Sequence, residues 1–75
     1  MTKTTIFVFK TSVNFLKDAR KLEPLLNKLV TESGRWNFDL EDCDRILRVE
    51  SKQLSAKTIA NVVQSKGFYC EELRY

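Results

Sequence analysis

Arg35-Trp36-Asn37-Phe38-Asp39-Leu40, answered after a polar tetrapeptide by Arg45-Ile46-Leu47-Arg48-Val49-Glu50, is the stretch that decides the fold. The first run alternates apolar and polar residues, so an extended chain carries Trp36, Phe38 and Leu40 on one side. Glu41-Asp42-Cys43-Asp44 is polar and turn-like. With the turn centred on Asp42-Cys43, Leu40 faces Arg45, Phe38 faces Leu47 and Trp36 faces Val49. The same register sets Asn37 by Arg48 and Arg35 by Glu50 on the opposite side. A slip of one residue would turn every apolar side chain to solvent, so the pattern specifies one hairpin.

Upstream, Thr4 to Lys10 (TTIFVFK) is β-branched and aromatic and reads as a strand. Asn14 is suited to cap a following helix. Phe15, Leu16, Ala19, Leu22, Leu25, Leu26, Leu29 and Val30 recur at helical spacing and give one apolar stripe. Pro24 lies inside it and predicts a kink or break near Leu22-Glu23. Gly34 is expected to close the segment. Downstream, Ser55 caps a second helix with Ile59, Val62 and Val63 inward, and Gly67 ends it. Phe68 to Leu73 (FYCEEL) is a last short strand. The expected core is Trp36, Phe38, Leu47, Val49, Leu22, Leu26, Leu29, Ile59, Val62 and Val63.

The order is thus β-α-β-β-α-β. Right-handed crossovers make strands one and three central and place both helices on one face. The expected fold is α+β: a ferredoxin-like sandwich with an antiparallel four-stranded sheet of order 4-1-3-2. Three connections meet at one end: Lys10 to Asn14, Glu41 to Asp44, and Ser65 to Tyr69. The candidate surface there comprises Lys10, Thr11, Ser12, Asp42, Cys43, Lys66 and Tyr69.

Composition narrows the chemistry. Seventy-five residues make one domain, residues 1–75. Hydrophobic residues are 43% and charged ones 31%, which suits a globular chain. No apolar run approaches the ~20 residues needed to span a bilayer, and no signal peptide is evident. The cytoplasm is the expected location. Thirteen Lys and Arg stand against ten Asp and Glu, but they alternate in sign along Lys17, Asp18, Arg20, Lys21 and Glu23, so no nucleic-acid partner is expected. There is no histidine, which removes the Ser-His-Asp triad, the Cys-His pair and His-ligated zinc.

Thr4 to Leu73 resembles the heavy-metal-associated domain of copper chaperones and metal-pumping ATPases. The resemblance rests on the element order, on Phe38-Asp39-Leu40-Glu41 before the third strand, and on Ser55 through Ile59-Ala60 to Lys66-Gly67-Phe68. It implies a ferredoxin-like scaffold whose first loop grips a soft ion through Met-Thr-Cys-x-x-Cys and passes it to a partner of like fold. Thr11 keeps its place in that motif. Lys10 stands at the usual Met, Ser12 at the first Cys and Phe15 at the second. Cu(I) needs polarisable sulfur, which a hydroxyl and a phenyl ring do not supply. Copper transfer is therefore expected to be lost, with no cofactor in its place.

Each remaining candidate has a plain reading beside the sharper one. Cys43 with Asp42 and Asp44 offers an alternative metal site, against an exposed acidic turn. Cys70 alternates inward with Phe68 and reads as a small buried hydrophobe. A Cys43–Cys70 bridge would need the two to come within the roughly 7 Å Cα separation a disulfide spans, and is not expected. Lys10 beside the acidic turn replaces a metal's charge by exposed ion pairs. Ile6 and Val8, with Ile46 nearby, form an apolar patch on the open sheet face, suited to another protein or to self-association. Lys10 or Cys43 as a nucleophile lacks a base. The reading that follows is a non-catalytic protein-interaction module, with metal binding through Cys43 and nearby carboxylates as the alternative.

Overall fold

Thr5–Thr11 forms β1, where the β-branched and aromatic residues suit a pleated, half-buried surface. Phe7, Phe9 and Thr11 are buried on one side, while Ile6 and Lys10 are exposed on the other. The computed structural model describes residues 4–30, 34–41 and 43–73. Within them β1 is followed by α1 (Leu16–Leu29), β2 (Arg35–Asp39), β3 (Ile46–Ser51), α2 (Ala56–Ser65) and β4 (Cys70–Glu72).

The strands form one antiparallel sheet in the order β2-β3-β1-β4, the ferredoxin-like arrangement. The hairpin register is the one the alternation predicts: Arg35 opposite Glu50, Trp36 opposite Val49, Asn37 opposite Arg48, Phe38 opposite Leu47. Both helices pack on one face. Leu22 and Leu26 of α1 and Ile59 and Val63 of α2 are fully buried, in one cluster with Phe7, Phe9, Leu47 and Val49 from the sheet. Each such side chain contributes about 1.5–3 kcal/mol of transfer free energy. Trp36, Phe38 and Leu29 pack against this cluster half-buried, and Val62 is also half-buried. Val13, outside the expected core, is fully buried within it.

Four local expectations are corrected. Asn14 does not cap α1; Phe15 is the N-cap residue and no side chain bonds the helix end. The break near Leu22-Glu23 does not occur, because Leu22 and Leu26 anchor the helix on both sides of an exposed Pro24. The helix ends at Leu29, where the Val30 N–H donates to the Leu26 carbonyl at 2.7 Å, so Gly34 is not its cap. β4 is shorter than Phe68–Leu73.

The second helix is as read. The Ser55 hydroxyl accepts the Thr58 N–H at 3.2 Å. Gly67 takes φ +87°, where a Cβ would be strained, and its N–H donates to the Gln64 carbonyl at 2.9 Å. Among the described residues no helix is long and apolar enough to cross a membrane.

Candidate functional site at the three-loop end

β1 continues its in-and-out rhythm past its last pair, so Thr11 and Val13 point inward and Ser12 outward. The buried Thr11 hydroxyl donates to the Arg45 carbonyl at 2.6 Å and accepts the Val13 N–H at 3.2 Å. The Thr11 N–H reaches the Asp44 carbonyl at 3.1 Å. These bonds tie the first connection to the acidic turn.

Ser12 ties it to the third connection. Its hydroxyl accepts the Tyr69 N–H at 2.8 Å, and its own N–H donates to the Tyr69 carbonyl at 3.2 Å. Arg45 closes the remaining side, donating from Nε to Asn14 Oδ1 at 3.0 Å and from its guanidinium to the Leu40 carbonyl. Lys10 Nζ lies 3.6 Å from Asp44 Oδ1 with both side chains about half exposed, a pair worth about 0.2–1 kcal/mol. Three connections therefore meet as the topology requires, held by side chains that bond to backbone.

The expected site residues divide. Lys10, Thr11, Ser12 and Tyr69 join this network, with Asp44 and Arg45 from the turn. Lys66 caps α2 at the same end and is exposed. Asp42 lies outside the described residues. Cys43 is exposed and Cys70 buried, both as free thiols. Among the described residues no three His, Cys, Asp or Glu side chains converge where an ion could sit.

Among the polar groups exposed at this end stand three large apolar or aromatic side chains. Phe15 is 61% exposed, Leu16 59% and Tyr69 51%. Phe15 and Leu16 thus leave the buried stripe to which their spacing assigned them. Phe15 has extended φ and ψ as the N-cap residue, off the helix proper. Lys17 Nζ sits 5.7 Å from the Phe15 ring centroid, within cation–π range. The Tyr69 hydroxyl is held above its ordinary pKa, chiefly by its hydrogen bond to Glu71, which favours the protonated phenol.

The sheet-face patch is smaller than expected. Ile6 is 60% exposed and Val8 half-buried, but Ile46 is 6% exposed. Ile46 sits between its register partners Lys10 and Asp39, and Lys10 reaches past it toward Asp44. The methylene stem of Lys10 can lie along Ile46 on its way to Asp44. Ile46 therefore adds almost nothing to that surface.

The chain matches no protein-family model, and no curated protein or solved structure matches it.

Sequence reasoning missed Arg45 and Asn14 as the closing pair of this end. Their signal was weak, since an Arg after a turn and an Asn before a helix each have commoner uses.

Proposed function

We propose that this is a non-catalytic domain of heavy-metal-associated type that has lost its cysteine pair. It works in the cytoplasm as a protein-interaction module, through the three-loop end. One observation carries this reading: that end is closed by hydroxyl and guanidinium hydrogen bonds while Phe15, Leu16 and Tyr69 stand in water. Exposed aromatic side chains on a fixed frame give contact area at low cost in conformational entropy. The residue at the family's first thiol position, Ser12, is engaged with Tyr69, and Phe15 at the second offers no donor.

Two measurements test the reading. Titrating the labelled chain with Cu(I), Zn(II) and Ca(II) is expected to leave the Ser12, Cys43 and Tyr69 amide resonances in place. Tight Cu(I) capture would overturn the loss of metal chemistry. A photo-crosslinking residue at Phe15 is expected to trap one protein in cells, with the adduct lost on Tyr69→Asp and kept on Ile6→Asp. The opposite pattern would move the interface to the sheet face.

A further inference from the structure

β2 is an edge strand. In an antiparallel sheet each residue sends its N–H and C=O to the same neighbour, and successive residues alternate sides. The Leu73 N–H donates to the Val8 carbonyl at 2.8 Å, which fixes the phase. Val8 and Lys10 address β4, and Phe7 and Phe9 address β3. Carried through the register, Leu47 and Val49 address β1, while Ile46, Arg48 and Glu50 address β2. Arg35, Asn37 and Asp39 therefore bond to β3. The N–H and C=O of Trp36 and Phe38 point outward, and among the described residues no hydrogen bond occupies them.

Native edges are usually blunted by lysine, proline or a bulge. From Arg35 to Asp39 there is no Lys and no Pro, and the register with β3 runs without a bulge. The strand is also self-complementary. We infer that two copies of this chain join β2 to β2, antiparallel, about a two-fold axis through Asn37. Arg35 then lies opposite the partner's Asp39, and Asp39 opposite the partner's Arg35, on the open face. Trp36 lies opposite the partner's Phe38 on the helix face, and those are the residues whose backbone groups point outward. Both pairs exchange their two backbone bonds, Asn37 falls at the non-bonded position, and phase and charge agree on one register. Parallel pairing would set like charges side by side.

The apolar side of the joint is prepared. Trp36 is pinned by Nε1–H donating to Asn27 Oδ1 at 2.9 Å and meets Phe38 edge-on at 6.0 Å between centroids. Along this edge Ala19, Trp36, Phe38 and Leu40, with Arg20 and Glu23, line an open groove of about 230 Å³. Its two charges are opposite in sign, so the groove carries no net charge that would oppose a second copy.

The test is sedimentation of the full chain to about 1 mM, where weak interfaces become visible, with amide exchange alongside. The wild type is expected to dimerise, and protection of the Trp36 and Phe38 amides to rise with concentration. Arg35→Asp or Asp39→Arg alone makes both cross-strand pairs like-charged and is expected to weaken the dimer about tenfold or more. The double variant R35D/D39R is expected to recover it. Mixing the two single variants is expected to give a heterodimer, which also shows that each has folded. A wild type that stays monomeric throughout overturns the inference. So does a dimer unmoved by the single substitutions, or a mixture that fails to associate.

Discussion

Cys70 and Cys43 show how one residue type divides by environment. Burial pushes the Cys70 thiol up to about 12 from an ordinary 9.0, because an apolar setting disfavours the thiolate. Below pH 9 folded and unfolded chains both keep the proton, and the group adds no pH dependence. Above it the unfolded chain releases the proton while the folded chain retains it, so stability falls as pH rises. The slope is at most about 1.4 kcal/mol per pH unit, until the folded thiol itself ionises. Denaturation series between pH 8 and 11 are expected to show this decline, and Cys70→Ala to flatten it relative to wild type. Equal slopes in the two chains would assign the decline to other groups, Tyr69 among them. The exposed Cys43 is expected to react with a thiol reagent in the native state, and Cys70 only on unfolding. The inward place of Cys70 was legible from its alternation with Phe68. Arg45 was not, because its φ of 49° is a left-handed turn geometry that non-glycine residues rarely hold. Nothing in Asp44-Arg45-Ile46 announces that geometry; it is held by bonds from Thr11 and to Asn14 that form only once two segments more than thirty residues apart meet.

At the scale of elements, α1 carries an internal contradiction. Its buried residues Ala19, Leu22 and Leu26 require a continuous helix, and Pro24 withholds the N–H that would bond the Arg20 carbonyl. Packing wins, since the buried leucines together outweigh one lost bond and a crowded turn. Pro24 is exposed, so Pro24→Ala restores the bond without disturbing the core. It is expected to stabilise the fold by about 2 kcal/mol, the propensity gain less the entropy returned to the unfolded chain. A chemical-denaturation midpoint measures it, and a lower midpoint would mean that the proline shapes the helix for packing. This also shows why element boundaries were less legible than element types. The spacing of apolar residues identified α1 but could not say that Phe15 and Leu16 fall beyond the sheet's cover. The hairpin register was read correctly from Arg35 opposite Glu50 to Phe38 opposite Leu47, because alternation on two strands constrains a register twice over. The expected pairing of Leu40 with Arg45 falls in the turn, outside the ladder. Val13 was missed because the strand rhythm Phe7, Phe9, Thr11, Val13 runs on into a segment that looks like a loop.

For the whole molecule, the sheet order makes stability uneven. A chain this short buries only about 60% of its unfolded surface, so no strand has much reserve. β1 and β3 are paired on both sides, and their inward residues Phe9, Leu47 and Val49 are fully buried. β2 is paired on one side, and its inward Trp36 and Phe38 are only half-buried. β4 is three residues long, but its first residue, Cys70, is buried and Ser12 pairs with Tyr69 just ahead of it. Local opening should therefore begin at β2, although β4 is the shorter strand. In dilute solution, amide exchange is expected to be slowest at Phe7, Phe9, Leu47 and Val49, whose amides exchange only on global unfolding. The Asn37 amide, bonded to β3 but at the edge, should exchange at least about tenfold faster than those. The Lys10 and Ser12 amides, which face β4 and Tyr69, should fall between. If Asn37 proved as slow as Val49 at low concentration, β2 would be held by more than β3 even in the monomer, and the edge would not be the weak side of the sheet.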